Sequence, residues 1–214
     1  QRAEVSKTVS GAEAGNYAIS YVNGTLNIVE ADPVVVTAKN YIREYGEANP
    51  AFEYTSAGAA LTGTPAISCE ATAASPVGTY PIVVSKGSVT NYNDSYVNGT
   101  LTITKAPLTL TAQSYVIKQG EALPTFEVEY DGFKNNETAS VLTTQPTFSC
   151  SATSASAPGT YDITVSGATA SNYSITFAKG TLTITQADPV TVTANSYTIQ
   201  YGDAIPTLGY TSNG

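Results

Sequence analysis

Seventeen carboxylates, fifteen tyrosines, two cysteines and no histidine or tryptophan define the chemistry open to this chain. Without an imidazole no Ser-His-Asp or Cys-His nucleophile can be activated, and two thiols alone cannot complete a His- or Cys-based zinc site. Glu127 and Glu129 fall on one face of an extended strand, the arrangement of a candidate glycosidase carboxylate pair, but the pair does not recur along the chain and no Trp-lined cleft can surround it. Acids recur instead after one glycine, as Glu47, Glu121 and Asp203, and at junctions, as Asp32 and Asp188. Calcium asks for about six oxygens with several carboxylates together. Each junction offers few, and Ala106-Pro107 offers none. Turn and solubility roles are therefore expected, with no metal and no cofactor.

The charge balance points the same way. A net charge of -8 and a pI near 4.4 have the wrong sign for nucleic acid or an anionic membrane surface. No apolar run approaches the ~18 residues of a membrane span, and Gln1-Arg2-Ala3-Glu4 lacks a signal-peptide profile. With no initiator Met, the chain is expected to be a piece of a longer protein.

The elements that would position these residues are repeated. Tyr21-Val22-Asn23-Gly24-Thr25-Leu26 returns as Tyr96-Val97-Asn98-Gly99-Thr100-Leu101 and as Phe177-Ala178-Lys179-Gly180-Thr181-Leu182. Pro33, Pro107 and Pro189 each open an alternating run, at spacings of 74 and 82 residues. Such periods mean an array of units. Pro50 to Cys69 is 19 residues and Pro124 to Cys150 is 26, so the second copy carries a seven-residue insertion around Asp131-Gly132-Phe133-Lys134-Asn135-Asn136-Glu137. The expected organisation is the last part of a repeat over 1–31, complete repeats over 32–106 and 107–187, and the first part of another over 188–214.

Strict alternation, as in Leu101 and Ile103 against Thr100, Thr102 and Thr104, predicts half-buried strands. Further strands are expected at Phe52 to Thr55, Ala66 to Thr72 and Gly78 to Ser85. Asn23-Gly24 and Asn98-Gly99 suit type I′ hairpin turns. One helical turn is expected near Thr138 to Leu142, capped by Asn135 or Asn136. Six or seven short strands per repeat predict an all-β fold of tandem small immunoglobulin-like β-sandwiches in a rod, the alternative being a β-grasp-like repeat with one short helix. Short Pro-containing junctions would make the rod semi-rigid, each repeat adding about 35 to 40 Å at ~3.3 Å per strand residue.

The steps Tyr45-Gly46-Glu47 and Tyr201-Gly202-Asp203, the steps Pro76 to Tyr80 and Pro158 to Tyr161, and Asn-Tyr followed by Asn-Gly-Thr-Leu-Thr-Ile occur in fixed order. In this the chain resembles the MBG-type repeat, YGX subtype, of large bacterial surface proteins. Gln119 replaces the first Tyr in the second repeat, and Lys179-Gly180 replaces Asn-Gly in the third copy. The resemblance implies a secreted, bacterial, surface-attached, adhesin-like protein without enzymatic activity.

Residues that recur in every repeat serve what every repeat shares, so Tyr41, Tyr115 and Tyr197, and Tyr17, Tyr92 and Tyr173, are expected to pack rather than to stack on sugars. Cys69 and Cys150 lie one repeat apart, beyond the roughly 7 Å a disulfide spans, and are expected as buried thiols in strands. A Lys-Asn crosslink would need a recurring Lys, but Lys39 becomes Gln113 and Asn195. Asn-x-Ser/Thr patterns such as Asn98-Gly99-Thr100 arise readily in so Asn- and Thr-rich a chain. The leading expectation is a structural spacer that projects a binding tip, its host or cell-surface glycan or protein partner being met through parts outside these residues. A second is a binding module using the inserted loop, with Tyr130, Asp131, Phe133, Lys134 and Asn135 as contacts. A third is head-to-tail self-association through the two partial repeats.

Overall fold

The computed structural model describes residues 3–213; Gln1, Arg2 and Gly214, which bound the partial repeats, lie outside the described residues. The chain opens with an antiparallel pair, β1 (Ala3–Lys7) and β2 (Gly24–Ile28). The first complete repeat follows as β3 (Val34–Ala38), β4 (Tyr41–Glu44), β5 (Tyr54–Gly58), β6 (Ala66–Ser68), β7 (Gly78–Ser85), β8 (Asp94–Val97) and β9 (Gly99–Thr104). The second comprises β10 (Ala106–Ala112), β11 (Tyr115–Lys118), β12 (Val128–Asp131), β13 (Thr147–Cys150), β14 (Gly159–Ser166), β15 (Tyr173–Ala178) and β16 (Gly180–Thr185). A last antiparallel pair is β17 (Val192–Ala194) with β18 (Tyr210–Ser212). The chain divides after Ala106 into two compact units.

The fold is all-β, and each complete repeat is a small sandwich of one three-stranded and one four-stranded sheet. The orders are β5-β3-β8 and β4-β9-β7-β6 in the first, β12-β10-β15 and β11-β16-β14-β13 in the second. Alternation places every second side chain inside. Val34, Val36, Ile82, Leu101 and Ile103 make the first core, and Leu108, Leu110, Ile163, Leu182 and Ile184 are their counterparts in the second, all 2% exposed or less. The arrangement differs from an all-antiparallel immunoglobulin sandwich in one respect. Each four-stranded sheet has a parallel pair, β4 with β9 and β11 with β16, and in the first repeat β3 also runs parallel to β8.

These parallel pairs are one bent ribbon. Val34 faces Asp94 and Thr37 faces Val97 in the smaller sheet; after three intervening residues in each strand, Tyr41 faces Leu101 and Glu44 faces Thr104 in the larger. Register is kept while both strands change sheet. Asn98-Gly99 is therefore not the hairpin turn its sequence predicts, because β8 and β9 lie in different sheets, and neither residue has a positive φ. The glycine answers a close approach instead. A Cβ on Gly99 would lie 2.4 Å from the Lys39 carbonyl oxygen, and one on Gly180 would lie 2.3 Å from that of Gln113. The neighbouring amides are held across the bend, Thr100 N–H donating to Asn40 Oδ1 at 2.8 Å and Thr181 N–H to Ser114 Oγ at 3.0 Å. Asn98 Oδ1 accepts from the Val84 amide, a side-chain role that Lys179 does not share. Asn23-Gly24 likewise has no positive φ.

Other expectations shift by small amounts. The strand predicted from Phe52 begins at Tyr54, because the Phe52 ring packs edge-on to Tyr41 at 5.5 Å and the Glu53 amide donates to the Tyr41 hydroxyl. The strand predicted to Thr72 ends at Ser68, since Thr72 and Ser75 close a turn. The expected helical turn is present as a 3-10 turn, Ala139–Val141. Its cap is Thr138, without a side-chain cap bond, rather than Asn135 or Asn136. Cys69 lies just past β6 and Cys150 ends β13; both thiols are free and half-buried rather than buried.

Candidate functional site

The recurring acids close recurring turns. In Glu44-Tyr45-Gly46-Glu47 the glycine has φ 85°, the Glu47 amide donates to the Glu44 carbonyl at 3.3 Å, and the Glu47 carboxylate accepts from the Glu44 amide at 3.1 Å. Glu121 accepts from the Lys118 amide at 2.7 Å, and Asp203 from the Gln200 amide at 2.9 Å, about Gly120 and Gly202 with φ 94° and 92°. Only glycine holds that backbone without strain. The carboxylates are thus engaged by amides of their own turns.

The recurring tyrosines are engaged as well. The hydroxyls of Tyr41 and Tyr115 accept from the amides of Glu53 and Glu127 at 3.1 and 3.0 Å. Those of Tyr80 and Tyr161 each donate at 2.8 Å to a carbonyl four residues upstream, Pro76 and Ala157. That bond locks the entry into a central strand, as a tyrosine corner does in other sandwiches. Glu127 and Glu129 are both exposed, the first just ahead of β12 and the second within it.

The insertion in the second repeat is folded about one of these tyrosines. Lys134-Asn135-Asn136-Glu137 is a four-residue turn with the Glu137 amide donating to the Lys134 carbonyl at 2.9 Å. Asn135 and Asn136 have φ 52° and 58°, the signature of a type I′ turn. The Tyr173 hydroxyl accepts from the Lys134 amide at 2.9 Å and donates to the Glu137 carboxylate. Phe133 lies between Tyr130 and Tyr173, with centroid distances of 5.4 and 5.6 Å. Burial raises the Tyr130 phenol above its ordinary pKa.

Of the five loop residues expected to contact a ligand, Tyr130, Phe133 and Lys134 are half-buried, and Asp131 and Asn135 are exposed. Tyr173 is 2% exposed beneath them, whereas its counterpart Tyr92, in the repeat without an insertion, is 97% exposed and Tyr17 is 82% exposed. The packing expected for this third tyrosine thus holds in the second repeat alone. Sequence reasoning missed the partnership of Tyr173 with Glu137. The visible signal was an Asn-Asn pair between residues of opposite charge, which suits a tight turn better than a cap.

Among the described residues no helix is long and apolar enough to cross a membrane. Comparison with curated proteins and with solved structures returns no match. Comparison with family models returns the MBG domain (YGX type) twice, over residues 34–102 and 108–183, together more than half of the chain. The two matches coincide with the two sandwiches and contain both the Gly46 and Gly120 turns and the crossing glycines Gly99 and Gly180. The chain belongs to the MBG domain family of the YGX type.

Proposed function

We propose that this array is a non-enzymatic spacer of a secreted bacterial surface protein of adhesin type, holding a binding segment away from the envelope. One observation carries the reading: the residues that recur from repeat to repeat are engaged in holding the repeat together. Tyr41 and Tyr115 bind amides across the sandwich, Glu47 and Glu121 close turns, and Gly99 and Gly180 let the ribbon bend. Tyr92 is the exception, 97% exposed where Tyr173 is covered by an insertion that the second repeat alone carries. A repeated ligand site would show the opposite pattern.

A glycan array probed with the chain tests this reading against the binding-module alternative. The spacer binds no glycan above background. Binding that disappears in Asp131→Ala with Asn135→Ala, the exposed loop residues, would replace the spacer with the module.

A further inference from the structure

Among the described residues of the two complete repeats, Tyr92 is the only tyrosine whose ring stands in solvent, 97% exposed. Its backbone is nonetheless fixed. Asn91 Oδ1 accepts from the amide and the hydroxyl of Thr62, both at 2.9 Å, and Asn91 Nδ2 donates to the Ala60 carbonyl at 3.0 Å. On the other side, Asn93 Nδ2 donates to the Ala31 carbonyl at 3.0 Å, and the Asn93 carbonyl accepts from the Val34 amide at 2.9 Å. The two neighbours thus hold the segment from which the ring projects. A bare aromatic ring on a fixed backbone has the form of an interface anchor, since little freedom is lost when it is covered.

The second repeat shows what covers this position. Tyr173 follows Val165 there at the spacing at which Tyr92 follows Val84, and the inserted turn closes over it. The Phe133 ring meets it edge-on at 5.6 Å, the Lys134 amide donates to its hydroxyl at 2.9 Å, and that hydroxyl donates to the Glu137 carboxylate. The first repeat lacks the turn, and the small Ser56 and Ala59 stand at the positions of Tyr130 and Phe133. It differs in charge as well. Lys86 takes the place of Gly167, and its ammonium donates to the Asn91 carbonyl at 3.4 Å and to Asp94 Oδ1 at 2.9 Å. The loop of the bare ring therefore carries a cation that the covered one lacks, in a chain of net charge -8. We infer that Tyr92 is a docking site for a protein partner presenting what the second repeat presents to Tyr173: a tight turn with an aromatic ring and, four residues on, a carboxylate. The partner's ring packs against Tyr92, its carboxylate accepts from the Tyr92 hydroxyl, and Lys86 adds attraction for an acidic turn. A sugar fits less well, because the side-chain amides of Asn91 and Asn93 are engaged by their own loop. An array that projects a tip would thus also hold a partner along its side.

A backbone-cyclised peptide with the sequence of residues 131–138 is the probe, titrated into the isotopically labelled 214-residue chain and followed by amide shifts. Saturable shifts are expected at Asn91, Tyr92 and Asn93, with a Kd on the order of 1 mM or tighter, since a short turn brings few contacts. No shift is expected at Tyr173, which its own turn already covers. Tyr92→Ala, at an exposed position that leaves the fold intact, should abolish binding. Tyr92→Phe in the chain, or Glu137→Gln in the peptide, should weaken it roughly tenfold. Absence of saturable shifts, shifts that persist in Tyr92→Ala, or equal binding of the Glu137→Gln peptide would overturn the inference and leave the spacer reading standing. A glycan bound by the parent chain and lost in Tyr92→Ala would overturn both.

Discussion

Arg43 Nε donates to Asn49 Oδ1 at 2.8 Å inside the first sandwich, at the positions that Ile117 and Leu123 occupy in the second and Ile199 and Ile205 in the last partial repeat. Arg43, 5% exposed, also donates through its guanidinium to the carbonyls of Glu44 at 3.0 Å and Thr72 at 2.6 Å, while Asn49 Nδ2 donates to the Ala71 carbonyl. The same site is thus filled by a hydrogen-bonded polar pair in one repeat and by an apolar pair in the next, where Ile117 and Leu123 pack on the core.

Breaking half of that pair should cost more than replacing all of it. Arg43→Ile takes the guanidinium donor from Asn49 Oδ1 and one of two donors from each of the Glu44 and Thr72 carbonyls, which keep the amides of Glu47 and Ser75, and should destabilise the first repeat by about 1–3 kcal/mol. Arg43→Ile with Asn49→Leu restores the composition of the second repeat and should return most of that loss. Chemical denaturation of the four members of the cycle measures the coupling; additive losses would contradict it.

Gly99→Ala should destabilise by about 1–3 kcal/mol or more through overlap with the Lys39 carbonyl, and Gly180→Ala likewise through Gln113. Gly24→Ala, in the same sequence phrase, should stay within about 0.5 kcal/mol. Thermal unfolding of the three variants checks this. A hairpin turn at each Asn-Gly would have penalised Gly24 and Gly99 alike.

Tyr173→Phe removes the hydroxyl that joins the Lys134 amide to the Glu137 carboxylate. A loss of about 1–3 kcal/mol is expected, with faster amide exchange at Lys134. Tyr92→Phe, at a fully exposed ring, should change neither stability nor exchange.

The first repeat should lose stability in alkali. Tyr96 is pushed up to about 12, first by its half-buried position and then by its hydrogen bond to Asp94, 2.6 Å away. Asp94 is held below the usual carboxylate range by Tyr96 and then by Lys86. A phenol raised on folding contributes stability that is present below its unfolded pKa near 10 and lost as pH rises through its folded value. Stability should therefore fall from about pH 10 to 12, and Tyr96→Phe should remove that fall. Phe177 and Ile175 take the places of Tyr96 and Asp94 in the second repeat. Ultraviolet titration should show Tyr96 ionising well after the exposed tyrosines, and Tyr96→Phe should remove that late step.

Period-two alternation made the sandwich legible, because Val34, Val36, Leu101 and Ile103 need only one apolar face to declare a strand. Pairing was less legible. Asn98-Gly99 reads as a turn by local chemistry, and only the carbonyls of residues 38 and 39, distant in sequence, show the glycine to be a point of close approach. The loop around Asp131 to Glu137 was located by counting residues, but its fold depends on Tyr173, far along the chain and identical in type to the uncovered Tyr92. The buried Arg43 was visible as an exception among isoleucines, and its partner Asn49 only by comparing repeats.

Small-angle scattering extrapolated to infinite dilution tests the spacer most directly. The spacer reading predicts a narrow, elongated particle whose dimensions are unchanged by calcium. A compact, near-spherical particle, or one that lengthens only when calcium is added, would contradict the account.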